Sequence, residues 1–159
     1  MASTITASTL KVTIREDIKL NGVDQGGVST LSIGSINEIS KRIVTVTTTE
    51  AVIATFSSAV ASAGHYVAAD VKYIRFTNLD DTNFITLTFR NQDNDEAAIK
   101  LDSGQSFIWN GDNSNGMTAV LNATEDADAA SSTNFGSLTN IQADADTANC
   151  DLEMLIASL

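Results

Sequence analysis

Apolar residues recur with a period of two along most of this chain, and proline is absent. No other feature limits the fold as strongly, because alternate side chains on an extended backbone point to opposite faces. Residues 84–90 give the clearest case. Ile85, Leu87 and Phe89 alternate with Thr86, Thr88 and Arg90, the pattern of a strand with one face in a core and one in water. Similar runs follow one another: Arg42, Val44 and Val46 against Ile43, Thr45 and Thr47; Lys72, Ile74 and Phe76 against Val71, Tyr73 and Arg75; Ala97, Ile99 and Leu101; and finally Leu152, Met154 and Ile156 against Glu153 and Leu155. Residues 28–33, 51–56 and 106–109 add further short strands, and 117–121 adds another.

Turn chemistry separates these runs. Asn21-Gly22, Gln25-Gly26-Gly27 and Asp102-Ser103-Gly104 carry residues that tolerate positive φ, and Asn78-Leu79-Asp80-Asp81-Thr82-Asn83 carries side chains that bond to their own backbone. In residues 9–20, Val12, Ile14, Ile18 and Leu20 share a face, and the charged Glu16 among them predicts a bend or bulge. Residues 57–70 are rich in Ala, Ser and Gly and are expected to hold a helical turn or a loose connection. Residues 135–141 follow no clear pattern. Roughly nine to eleven strands at this spacing predict an all-β fold, an antiparallel β-sandwich or jelly roll, and the missing crossover helices exclude a parallel α/β fold. With 159 residues, one domain spanning 1–159 is expected, with an N-terminal extended segment over about 1–10 and an acidic loop over about 122–134. Without proline, border strands lack one device against stray pairing and must be covered, charged or paired with other copies.

Charge narrows the partners. Nine Lys+Arg face 20 Asp+Glu for a net charge of -11, and every basic residue lies between Lys11 and Lys100, so the first hundred residues carry -2 and the remainder -9. Nucleic acid is excluded as an expected partner, since backbone binding requires clustered cations. The acidic half is a candidate surface for a basic partner or another copy. No apolar run approaches the roughly 18 residues of a spanning helix and residues 1–10 lack a leader pattern, so a soluble protein with no membrane partner and no secretory signal is expected. Hydrophobic residues make up 43%, too many for a disordered acidic tail.

Candidate chemistry is sparse. His65 is the single histidine and Cys150 the single cysteine; a Cys150/His65 pair has no cation near the thiol to activate it, and the acids around Cys150 would raise its pKa. No G-x-S-x-G elbow or H-E-x-x-H motif occurs. Asp93-Asn94-Asp95-Glu96 resembles the start of a calcium loop, yet the sixth position is Ala98 and the twelfth Gly104 where such a loop has Gly and Glu. Asp126/Asp128 and Asp144/Asp146 are further spaced acid pairs. No metal, cofactor or catalytic residue is expected. Phe76, Phe89 and Phe107 fall on core faces, whereas Trp109, beside Asn110-Gly111-Asp112-Asn113, is the aromatic residue most suited to touch a ligand such as a sugar face.

Ile36-Asn37-Glu38-Ile39-Ser40-Lys41-Arg42-Ile43-Val44, Lys72-Tyr73-Ile74-Arg75-Phe76-Thr77-Asn78-Leu79-Asp80-Asp81-Thr82-Asn83-Phe84 and Lys100-Leu101-Asp102-Ser103-Gly104-Gln105-Ser106-Phe107, with the ending from Ile141-Gln142-Ala143-Asp144-Ala145-Asp146-Thr147 to Leu159, resemble small all-β virion structural proteins of tailed bacteriophages, especially marine ones. The likeness covers residues 36–112 and 141–159 and includes no catalytic motif. It implies a non-enzymatic assembly protein, made in the host cytoplasm and built into the virion in many copies. A capsid decoration or cement protein is expected, homo-oligomeric as a trimer and bound to the major capsid protein. The alternatives are a tail or neck component (an adaptor or fibre-attachment module), then a carbohydrate-binding attachment module, with a hydrolase last. The likeness transfers no site residues.

Overall fold

The computed structural model describes residues 5–110, 116–117 and 138–159. Among them every regular element is a strand. The backbone contacts divide the chain at Glu38 into one unit of Met1–Glu38 with Leu159 and another of Ile39–Ser158.

The first unit is a hairpin. β1 (Ser8–Glu16) pairs antiparallel with β4 (Gly27–Ile36), and β2 (Lys19–Leu20) with β3 (Val23–Asp24) at the tip. Asn21 and Gly22 at the tip have φ of 51° and 80°, the two left-handed residues of a type I′ turn, whose twist matches that of the strands it joins. The break expected at Glu16 falls there: β1 ends on it and β2 begins three residues later. Gly26 is required at this point, since an added Cβ would lie 2.0 Å from the Glu16 carbonyl oxygen. Register sets Leu10 across from Ile33 and Val12 across from Leu31, with Ile14 facing Ser29. These apolar residues therefore share one face of the ribbon, while Lys11/Ser32 and Thr13/Thr30 occupy the other.

The second unit has the form of a β-sandwich. Its strands are β5 (Glu38–Val46), β6 (Ala51–Ser57), β7 (His65–Val67), β8 (Val71–Asn78), β9 (Ile85–Asn91), β10 (Glu96–Leu101), β11 (Ser106–Asn110), β12 (Leu138–Ala145) and β13 (Cys150–Ser158). One sheet runs β10-β9-β12-β6-β7 and the other β11-β8-β13-β5. Neighbours with assigned register are antiparallel except β6 and β7, which pair in parallel from Thr55↔His65 to Ser57↔Val67. The inner faces share one core: Ile74 and Phe76 of β8 with Leu152, Met154 and Ile156 of β13 from one sheet, and Ile85, Leu87 and Phe89 of β9 with Ile141 and Ala143 of β12 from the other. Phe76, Ile74, Leu87, Leu152 and Met154 are fully buried, each stabilising the fold by about 1.5–3 kcal/mol relative to exposure.

Of the alternatives for residues 57–70, the structure has the connection and not the helical turn: they carry turns and the short β7. The unpatterned stretch ends in β12, which lies at the centre of its sheet between β9 and β6. The acidic loop over 122–134 and most of the strand expected at 117–121 fall outside the described residues; Met117 itself is buried and donates its N–H to the Ala68 carbonyl at 2.8 Å.

Candidate functional site

Trp109 sits where the sandwich opens. The turn after Leu101 closes with the Gln105 N–H donating to the Asp102 carbonyl at 3.0 Å, with Gly104 at φ 71°, and it carries the chain from β10, the last strand of one sheet, to β11, the last strand of the other. Register puts Phe107 across from Phe76 and Trp109 across from Ile74, both facing inward. Phe89 meets Trp109 edge-on at 5.2 Å between ring centroids and 75° between planes, and Phe107 lies 5.5 Å from Phe89. Trp109 and Phe107 are half-buried and, with Phe89, Ala97 and Ile99, line an apolar pocket of about 260 Å³. Of these side chains only the indole N–H is polar, so the pocket suits an apolar side chain or the apolar face of a ring and holds no acid, base or nucleophile.

Cys150 and His65 lie on different sheets. The Cys150 thiol is buried and donates to the Ala148 carbonyl at 3.5 Å. Burial pushes its pKa up, and the carboxylates of Asp80, Asp146 and Asp151 push it further. A thiol held protonated is a poor nucleophile. His65 is half-buried on β7 and faces a pocket at the opposite border of the sandwich.

The acidic turns are internally bonded. Asn91 accepts from the N–H groups of Asp93 and Asp95 at 2.8 Å each through Oδ1 and donates to Asp95 Oδ2 at 3.0 Å, while Glu96 pairs with Arg90 at 3.0 Å. Asn94 takes the left-handed conformation at φ 67°. In the other pair, burial and the nearby charge of Glu50 push the Asp144 pKa up. Asp126 and Asp128 lie outside the described residues. Among the described residues no three His, Cys, Asp or Glu side chains converge as a metal site would require, and no helix is long and apolar enough to cross a membrane.

Sequence reasoning passed over Arg42. Its signal was its position on the same alternating face as Val44 and Val46, which turns a cation toward the interior. It lines, with Val52, Ile53, Thr55, Gly64 and His65, a pocket of about 280 Å³.

Comparison with known proteins gives no further class beyond all-β: no protein-family model, curated protein or solved structure matches the chain.

Proposed function

We propose that this chain is a non-enzymatic structural protein of a virion, a homo-oligomeric capsid decoration or cement protein that joins neighbouring shell subunits. The observation that carries this reading is the hairpin of the first unit. Leu10, Val12, Ile14, Leu31 and Ile33 form one apolar face on a two-stranded ribbon, with Ile14 47% and Leu31 41% exposed; Leu20 and Val23 at the tip are 63% and 58% exposed. A two-stranded ribbon is marginally stable alone, and an apolar face of this kind marks an interaction surface. A protein whose task is joining needs such an arm and needs no catalytic group.

The finer fold reading is a jelly roll. Leaving β7 aside, the orders β5-β13-β8-β11 and β6-β12-β9-β10 each set a strand from the end of the chain beside one from its start, as in an eight-stranded double Greek key. That architecture is common in shells and suits a particle component. The acidic C-terminal part supports contact with a basic patch on the major capsid protein. The second reading is a tail or neck component. The aromatic pocket at Trp109 favours a third, a carbohydrate-binding attachment module, because rings stack on sugar faces.

Sedimentation velocity on the full chain and on a Val12→Asp/Leu31→Asp variant tests the joining role. The native chain is expected to form a discrete oligomer, the trimer first, and the variant to remain monomeric with its sandwich folded. A native chain that stays monomeric at high concentration ends the proposal. Copy number in purified particles separates the locations: hundreds for cement, about a dozen for a tail part. Glycan-array binding that disappears in Trp109→Ala would support the attachment module instead.

A further inference from the structure

Among the described residues Arg42 is a cation without a counter-charge, in a chain of net charge -11. It projects from β5 toward the other sheet, in line with Ser40, whose Oγ shares a 3.0 Å hydrogen bond with the hydroxyl of the buried Tyr66. Its Nη2 donates to the Ile53 carbonyl. Its Nε is buried and bonds to nothing. The guanidinium lies against Gly64, where an added Cβ would come within 3.3 Å of Nη2 and 3.6 Å of Nη1. The other three arginines each hold a carboxylate: Arg15 with Asp17, Arg75 with Glu153 and Arg90 with Glu96. Arg42 holds none among the described residues.

The surroundings look like a receptor. Gly64 is kept in place by its carbonyl, which accepts from the Thr55 N–H at 2.9 Å, and its φ of 84° excludes most side chains without strain. The guanidinium and His65 both line the pocket of about 280 Å³. Among the described residues the His65 imidazole makes no hydrogen bond. A half-buried guanidinium loses hydration that one carbonyl does not replace, and its fork matches two carboxylate oxygens at once. A single positive charge inside a strongly negative molecule favours a monoanion over a multiply charged phosphate.

We propose that Arg42 and His65 form a binding pocket for a single carboxylate group, Arg42 gripping its oxygens and His65 donating from the pocket wall. The carboxylate belongs either to a small free acid or to an Asp or Glu side chain of a second copy. The proposal rests on this pocket and not on the hairpin, so it stands or falls apart from the assembly reading.

NMR on the full chain tests it, following the Arg42 Nε–H and the His65 ring during titration with sodium acetate against sodium chloride at matched ionic strength. Both signals are expected to shift saturably with acetate, half-saturating below about 50 mM, and not with chloride. Arg42→Lys keeps the charge but loses the fork, and is expected to weaken binding about tenfold; Arg42→Gln and His65→Ala are expected to abolish and weaken it respectively, with the rest of the spectrum retained as the check on folding. Movement of the Arg42 signal on protein dilution alone, reversed by acetate, assigns the carboxylate to a second copy; saturation independent of protein concentration assigns it to a free acid. Acetate behaving as chloride does, or an unchanged His65 response in both Arg42 variants, overturns the proposal.

Discussion

Asn78 is fully buried and has every polar group of its amide engaged: Nδ2 donates to the carbonyls of Asn83 at 2.9 Å and Leu101 at 3.1 Å, and Oδ1 accepts from the Asp80 N–H at 3.0 Å. It pins the 78–83 turn to the end of β10. Asn78→Ala would leave three partners unsatisfied at once, so urea denaturation is expected to show a loss of about 2–4 kcal/mol. Two neighbours titrate in opposite senses. The N–H groups of Asn83 and Thr82 hold the Asp80 carboxyl below its ordinary range; the folded pKa is the lower one, so this contribution is present above the unfolded value and is lost as pH falls through the folded one. Asp80→Asn is expected to flatten that part of the acid limb in a stability–pH series. Cys150 behaves in reverse. Burial first, then Asp80, raises its pKa, so the folded chain keeps the thiol proton longer and stability declines as pH rises above the unfolded thiol's value. Alkylation by iodoacetamide, followed by mass spectrometry at pH 8, is expected to be at least about a hundredfold slower in the native chain than in urea.

At the scale of elements, two glycines in the hairpin separate conformational from steric cost. Gly22, at φ 80°, has nothing within 4 Å of an added Cβ, whereas Gly26 would place that atom 2.0 Å from the Glu16 carbonyl oxygen. Gly22→Ala is therefore expected to cost about 1 kcal/mol, read as roughly fivefold faster amide exchange across the tip. Gly26→Ala must displace backbone, and the cross-strand contacts Arg15↔Val28 and Glu16↔Gly27 are expected to disappear from NOE spectra. The Asn21-Gly22 turn was legible in the sequence because two adjacent residues tolerant of positive φ have few other uses. β9 was legible because its alternation is unbroken over the six residues from Ile85 to Arg90. β12 was not: Asn140, Gln142 and Asp144 separate Ile141, Ala143 and Ala145, Gln142 is itself buried, and a register shift between Ile141 and Gln142 breaks the alternation against β6. Residues 57–70 left helical turn and loose connection both open because Ala-rich composition favours helix locally, while β7, which exists through pairing with β6, was not legible. Trp109 stood out in the sequence because the polar run Asn110-Gly111-Asp112-Asn113 follows it, but Arg42 did not, since a charge on an alternating strand is ordinarily turned to water.

For the whole molecule, the net charge of -11 and the apolar hairpin face act against each other, and salt tells them apart. Copies that join through Leu10, Val12, Ile14, Leu31 and Ile33 gain from burying apolar surface and lose from bringing like charges together. Raising ionic strength from 0.01 to about 0.15 M shortens the screening length from about 30 to 8 Å, which weakens the repulsion and leaves the apolar term almost untouched. Self-association measured by sedimentation is therefore expected to strengthen with salt. Docking of the acidic C-terminal part onto a basic partner works the other way, because the same screening removes the attraction. A cement protein that uses both contacts is expected to oligomerise more tightly and leave the particle more readily as salt is raised. If self-association weakens with salt instead, ion pairs between copies hold the oligomer, and the hairpin face must be covered by something else.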